Sequence, residues 1–156
     1  MTDWKNAPRL FIPGPVKVEQ DVLDQLARPT LGHRGKEYSQ LHGETVSMLK
    51  KILYTDQNVF LSTSSGSGVW EGSIRNCVQP DEKVLCTMCG AFSDKYALVA
   101  RANGREVEEL KVDWGQAITP EMVDKKLSEG KYAAVTMVYN ETSTGLTNPV
   151  YEISEM

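Results

Sequence analysis

The sequence predicts an α/β fold, a three-layer α/β/α sandwich with a mostly parallel sheet. Two features predict it. From residue 58 onward, short apolar runs alternate with segments whose apolar residues recur at helical spacing, the pattern of strands joined by crossover helices. Cap and turn residues fall at the junctions, so each segment has a physical reason to stop where it does.

Taken in order, residues 1–17 read as an extended N-terminal arm. Pro8, Pro13 and Pro15 forbid a helix there, and Pro13-Gly14-Pro15 imposes a bend. Val18, Val22, Leu23 and Leu26 then sketch a short helix that Pro29 ends. The LGHRG stretch is loop. Tyr38, Leu41, Thr45, Met48, Leu49, Ile52 and Leu53 recur at three- and four-residue steps, so 36–54 is one long amphipathic helix. Four apolar runs follow as strands, at 58–62, 83–88, 107–112 and 133–139. Helices separate them at 67–78 and at 91–103, the latter ended by Gly104 where a left-handed cap is common. A third begins at Thr119-Pro120, an N-cap followed by a proline in the first turn.

The totals exclude several classes of function. In 156 residues the net charge is −4 with the signs interspersed, so neither nucleic acid nor an anionic membrane is the expected partner. The opening residues lack an apolar signal region, and no stretch reaches the length of a membrane span. Three cysteines do not make a secreted disulfide framework. The expected compartment is cytoplasmic. Cys77 reads as a buried small residue. Cys86 and Cys89 form a C-x-x-C with no second pair for zinc, and it spans a strand end rather than a helix start.

Three stretches carry candidate chemistry. LSTSSGSGVWEG (61–72) follows the first predicted strand and opens a helix. Unpaired amides and a partial positive charge at a helix start, with glycines that let the backbone close in, make a recipe for a phosphate. Ser65 and Ser67 add hydroxyls. Glu71 stands where a dinucleotide fingerprint needs its third glycine, and no Gly-Lys-Ser/Thr follows. Read without a ligand, the stretch is a well-capped helix start. YNETSTG (139–145) follows the last strand at its carboxyl end, where open α/β sheets gather ligands, and reads equally as a polar turn. CGAFSDKY (89–96) puts Phe92 at a helix start, where a ring can stack on a planar ligand or simply join the core.

In this order and spacing, FIPGPVKV, GHRGKEY, SSGSGVWEG, CGAFSDKY and NETSTG resemble the class V aminotransferases, the pyridoxal-phosphate enzymes of the alanine–glyoxylate, serine–glyoxylate and serine–pyruvate type. The likeness covers almost the whole chain. It implies a fold type I transferase large domain, of which 18–156 is the N-terminal part, with pyridoxal 5'-phosphate as cofactor. It assigns Gly66, Ser67, Gly68 and Val69 to the cofactor phosphate, Phe92 to its ring and Thr142 to its phenolic oxygen. Gly14, His33 and Arg34 match segments near the substrate. The implied activity moves an amino group from a small serine- or alanine-like amino acid to a 2-oxo acid such as glyoxylate or pyruvate.

The family's Schiff-base lysine, the Asp opposite the pyridine nitrogen and the carboxylate-gripping Arg have no matching motif here; neither Lys83 nor Lys95 stands in one. The resemblance therefore implies the N-terminal half of an enzyme, inactive alone. It would need a complementary C-terminal aminotransferase chain, within a homo- or hetero-oligomer of two-fold symmetry. Two other readings stand beside it. One is a non-catalytic phosphate- or pyridoxal-phosphate-binding accessory subunit. The other is a desulfurase or lyase, whose Gly-Ala-Thr-Glu loop and ring-stacking His are replaced here by Gly66-Ser67-Gly68-Val69 and Phe92.

Overall fold

The computed structural model describes residues 8–156; Met1–Ala7, the beginning of the arm with Trp4, lie outside the described residues. The chain divides into two compact units, Met1–Leu61 and Ser62–Met156.

In the first unit, residues 8–19 run without regular structure, with a bend over 12–15 around the Pro-Gly-Pro. Two helices follow, α1 (Gln20–Leu26) and α2 (Lys36–Ile52). Both lie where the apolar spacing put them. Neither contains a buried residue, and Tyr38, Leu41, Met48 and Ile52 of α2 are exposed. The predicted strand at 58–62 does not form. Its residues join no strand ladder among the described residues, and Phe60 is 88% exposed. A short apolar run becomes a strand only when a neighbour takes its backbone groups.

The second unit begins with α3 (Gly66–Cys77), β1 (Lys83–Met88), α4 (Ala91–Ala102) and β2 (Glu106–Lys111). It continues with α5 (Pro120–Glu129), β3 (Ala134–Thr136), β4 (Asn140–Glu141), β5 (Leu146–Thr147) and α6 (Val150–Ser154). The main sheet is parallel in the order β2-β1-β3, and β4 pairs antiparallel with β5. β1 is central, and its alternate side chains feed two cores. Val84, Cys86 and Met88 join Ile74 and Val78 at the end of α3 and Ala97 and Ala100 of α4. On the other face Leu85 and Cys89 join Ile118, just before α5, and Val123 within it. A sheet buried on both faces is the middle layer of an α/β/α sandwich, as the alternation predicted.

Several boundaries differ from the sequence reading. β3 is three residues long rather than the predicted 133–139. Beyond Thr136 its carbonyls turn to Asn148 instead: Asn148 Nδ2 donates to Val138 O (2.7 Å), and Asn148 N to Tyr139 O (2.8 Å). Asn148 Oδ1 also accepts from Ile118 N (3.1 Å), so this buried amide ties the hairpin to the start of α5. Gly104 takes the left-handed conformation expected of it, at φ 73°, and Thr119 Oγ1 accepts from Met122 N to cap α5. Cys77 is exposed, not buried, because the end of α3 turns it away from the sheet. Cys86 and Cys89 are buried but serve opposite cores. Burial also pushes the Cys86 thiol up, away from reactive thiolate.

Candidate functional site

The helices α3 and α4 lie side by side and point the same way. The contacts between them keep the same order along both chains. Trp70 meets Phe92 edge-on (ring centroids 6.5 Å apart) and stacks on Tyr96 (5.0 Å, 14° between planes). Further on, Ser73 Oγ and Tyr96 Oη share a hydrogen bond (2.7 Å), and Arg75 Nε donates to Asn103 Oδ1 (2.7 Å). Both helix starts therefore sit at one end of the layer. Only two residues separate the end of β1 from the start of α4, so that end is the carboxyl edge of the sheet. Trp70 thereby packs α3 against α4.

The two helix starts are treated in opposite ways. At α4 every first-turn amide has an acceptor. Ala91 N donates to Ser143 Oγ (2.9 Å), Phe92 N to Glu141 Oε1 (3.2 Å), Ser93 N to Glu141 Oε2 (2.9 Å), and Asp94 N to Gly90 O (2.9 Å). Glu141 is wholly buried and also accepts from the hydroxyls of Ser143 (2.6 Å) and Ser93 (3.0 Å). Burial alone raises its pKa, but the Ser143 hydroxyl and the Ser93 and Phe92 amides outweigh it. The carboxyl is held below its ordinary value and ionised. Gly90 makes room for this: a Cβ there would lie 2.4 Å from Glu141 Cγ and 2.7 Å from Ser143 Oγ.

At α3 nothing of the kind is present. Its N-cap is Ser65, no side chain caps it, and its first turn carries no acid. Gly68 N and Val69 N turn back to Ser65 O, and among the described residues Gly66 N and Ser67 N donate to no acceptor. A Cβ at Gly66 would meet nothing within 4 Å, whereas one at Gly68 would crowd Ser64 at 3.2 Å. The result is an open turn of amides with positive character and no internal anion.

Phe92 stands one residue inside α4, 42% exposed, near the open start of α3 through Trp70. Thr142 is exposed on the turn that joins β4 to β5, beside Glu141. Gly145 closes that turn at φ 70°. The edge thus gathers Gly66–Val69, Phe92 and the Glu141-anchored turn of Thr142. Gly14, His33 and Arg34 belong to the first unit, where all three are exposed. Glu141 was not singled out from the sequence. A signal existed: a helix opening on Gly90-Ala91-Phe92 has no polar N-cap of its own, so its acceptor must come from elsewhere.

No family model matches the chain. Curated relatives do. Over 148 residues, 94% of this chain and 38% of the relative, it is 40% identical to an uncharacterized aminotransferase of Methanocaldococcus jannaschii. It is 30% identical to a serine–glyoxylate aminotransferase of Methylorubrum extorquens over 90% of this chain and 36% of that protein. The crystal structure of an alanine–glyoxylate aminotransferase from Nostoc sp. superposes at a TM-score of 0.86. It covers 92% of this chain and 39% of that one, at 26% identity. In sequence and fold the chain matches the N-terminal part of the class V aminotransferases. It spans under two fifths of the length of these curated relatives.

Aminotransferases of class V depend on pyridoxal phosphate, and the edge fits that cofactor. A doubly charged phosphate needs donors that carry no competing anion, which α3 offers and α4 does not. A flat ring needs an accessible aromatic face, and a phenolic oxygen needs a free hydroxyl; Phe92 and Thr142 are exposed.

Two outcomes follow for the carboxylate. Gly90→Ala drives a methyl group into Glu141 and costs about 2 kcal/mol, read as a lower urea midpoint; an unchanged midpoint would show that Glu141 is not fixed there. A depressed carboxyl stabilises the fold above its unfolded pKa and loses that contribution as pH falls through the folded one. The Glu141 contribution is therefore fully present from neutrality down to the ordinary glutamate value of 4.5, then declines as the pH falls further. Glu141→Gln lacks the corresponding part of that decline, which urea titrations at several pH values measure.

Proposed function

We propose that this chain is the cofactor-gripping part of a pyridoxal-phosphate-dependent aminotransferase. The reaction moves an amino group from a small serine- or alanine-like amino acid to a 2-oxo acid of the glyoxylate or pyruvate kind. The observation that carries this reading is the uncapped start of α3 beside the exposed ring of Phe92. The order of motifs along the chain and the names of its relatives support it.

Gly66, Ser67, Gly68 and Val69 form the phosphate turn, in which the unpaired amides of Gly66 and Ser67 and the Ser67 hydroxyl donate to the anion while Gly68 and Val69 close the turn onto Ser65 O. Phe92 covers one face of the ring and fixes its plane. Thr142 donates to, or accepts from, the phenolic oxygen. Bound there, the cofactor supplies an electron-withdrawing ring that makes proton loss at an amino acid's α-carbon accessible. Gly14, His33 and Arg34 serve the substrate side.

The covalent lysine, the partner of the ring nitrogen and the arginine for the substrate carboxylate lie outside these 156 residues. A complementary C-terminal part provides them within a two-fold symmetric assembly, whether it continues this polypeptide or belongs to a second one. Lys83 supports this division: bonded to Glu106 (2.8 Å), which raises its pKa, it is held protonated, the opposite of what a nucleophilic amine needs.

The phosphate assignment is tested with Ser67→Asp. An acid in the first turn suits a helix start and adds about 0.3–1 kcal/mol, so the melting temperature holds or rises. Affinity for inorganic phosphate and pyridoxamine phosphate, followed by phosphorus NMR, falls more than about tenfold. Unchanged affinity would place the anion elsewhere. For the missing lysine, the loaded assembly is reduced with borohydride and digested for mass spectrometry. The pyridoxyl adduct is expected on a lysine outside these 156 residues; an adduct on Lys83 or Lys95 would refute the division of labour.

A further inference from the structure

Phe92 and Thr142 have to face the same small ring, yet they come from distant parts of the chain: Phe92 N and its acceptor Glu141 are 49 positions apart. Among the described residues, every hydrogen bond between the first turn of α4 and the β4–β5 hairpin runs through two side chains, Glu141 and Ser143. Ser143 gives its proton to Glu141 Oε1 (2.6 Å) and accepts from Ala91 N (2.9 Å), so the pair acts as one clamp. Glu141 is 0% exposed, so water cannot substitute for these contacts, and its side chain fills the space that a Cβ on residue 90 would need.

The geometry points to Glu141 as a positioning residue that sets the ring side of the site, holding Phe92 and Thr142 in register while leaving the phosphate side untouched. This rests on the cofactor reading above. Glu141 itself faces the helix start and not the ring, so it acts through its neighbours. Its charge also occupies the amides of α4, which keeps that second helix start from competing for the anion. The phosphate side, at Gly66–Val69, shares no hydrogen bond with the clamp.

The two sides can be read separately with two probes, pyridoxamine phosphate and inorganic phosphate, titrated calorimetrically into the full chain. Glu141→Gln keeps the shape but removes the charge and one acceptor. It is expected to weaken pyridoxamine phosphate about tenfold while inorganic phosphate changes less than about twofold. Ser143→Ala, which removes only the relay, shifts the same ratio in the same direction by less. It decides the matter if the Glu141 variant does not fold. A ratio equal to that of the unmodified chain, whether both ligands weaken together or neither does, overturns the positioning role and leaves the cofactor reading standing. An unmodified chain that binds neither probe removes the cofactor reading and this inference with it.

Discussion

A buried carboxylate shapes the carboxyl edge of this sheet. Taking Glu141 out of water is costly, and the cost is offset only because its two oxygens receive amides and hydroxyls from both the helix start and its own turn. These donors come from both segments, so the hairpin, the start of α4 and the glycine before it form one interlocked piece. The neighbouring start of α3 is left with its donors facing outward. One protein thus shows both fates of a helix N-terminus, filled from within and left open. The contrast says more than either alone.

The layer architecture explains why these features meet. Parallel strands put all their carboxyl ends on one edge, and the helices packed on them begin there. β1 is buried on both faces, so neither α4 nor the turn after β3 can drift from it without opening a core. The edge is accordingly stiff beneath and irregular on top. Side chains with functional prospects, such as Phe92 and Thr142, occupy the irregular part, while Ile74, Val84 and Ala97 hold the part below.

The sequence made most of this visible, but unevenly. β1 is found at the predicted bounds, and α3, α4 and α5 start within a residue of prediction, because glycine, serine, threonine and proline act locally. The run at 58–62 misled because apolar content says nothing about whether a neighbouring strand is available. β3 was read too long because Asn148, far along the chain, takes the carbonyls that a ladder would have used. The phosphate-type loop and Phe92 were legible as local patterns. Glu141 was not, since its acceptor role joins residues 48 and 49 positions apart and one more acidic residue in a polar turn has no signature of its own.

The open start of α3 contains no lysine or arginine; from Leu61 to Gly72 every side chain is neutral except Glu71. Any anion there is held by oriented amides and hydroxyls, whose strength depends on direction rather than on net charge. Direction in turn depends on how firmly α3 is seated. Ile74 and Val78 fix its far half in the core, and near the opening the work falls to Trp70 stacked on Tyr96 and to the hydrogen bond of Tyr96 with Ser73. Burial raises the Tyr96 phenol above its ordinary value, more than the Ser73 contact lowers it, so the hydroxyl keeps its proton across the physiological range. A neutral cradle is therefore steadied by a neutral bond. Among the described residues, the one carboxylate that is buried is Glu141, which α4 already holds.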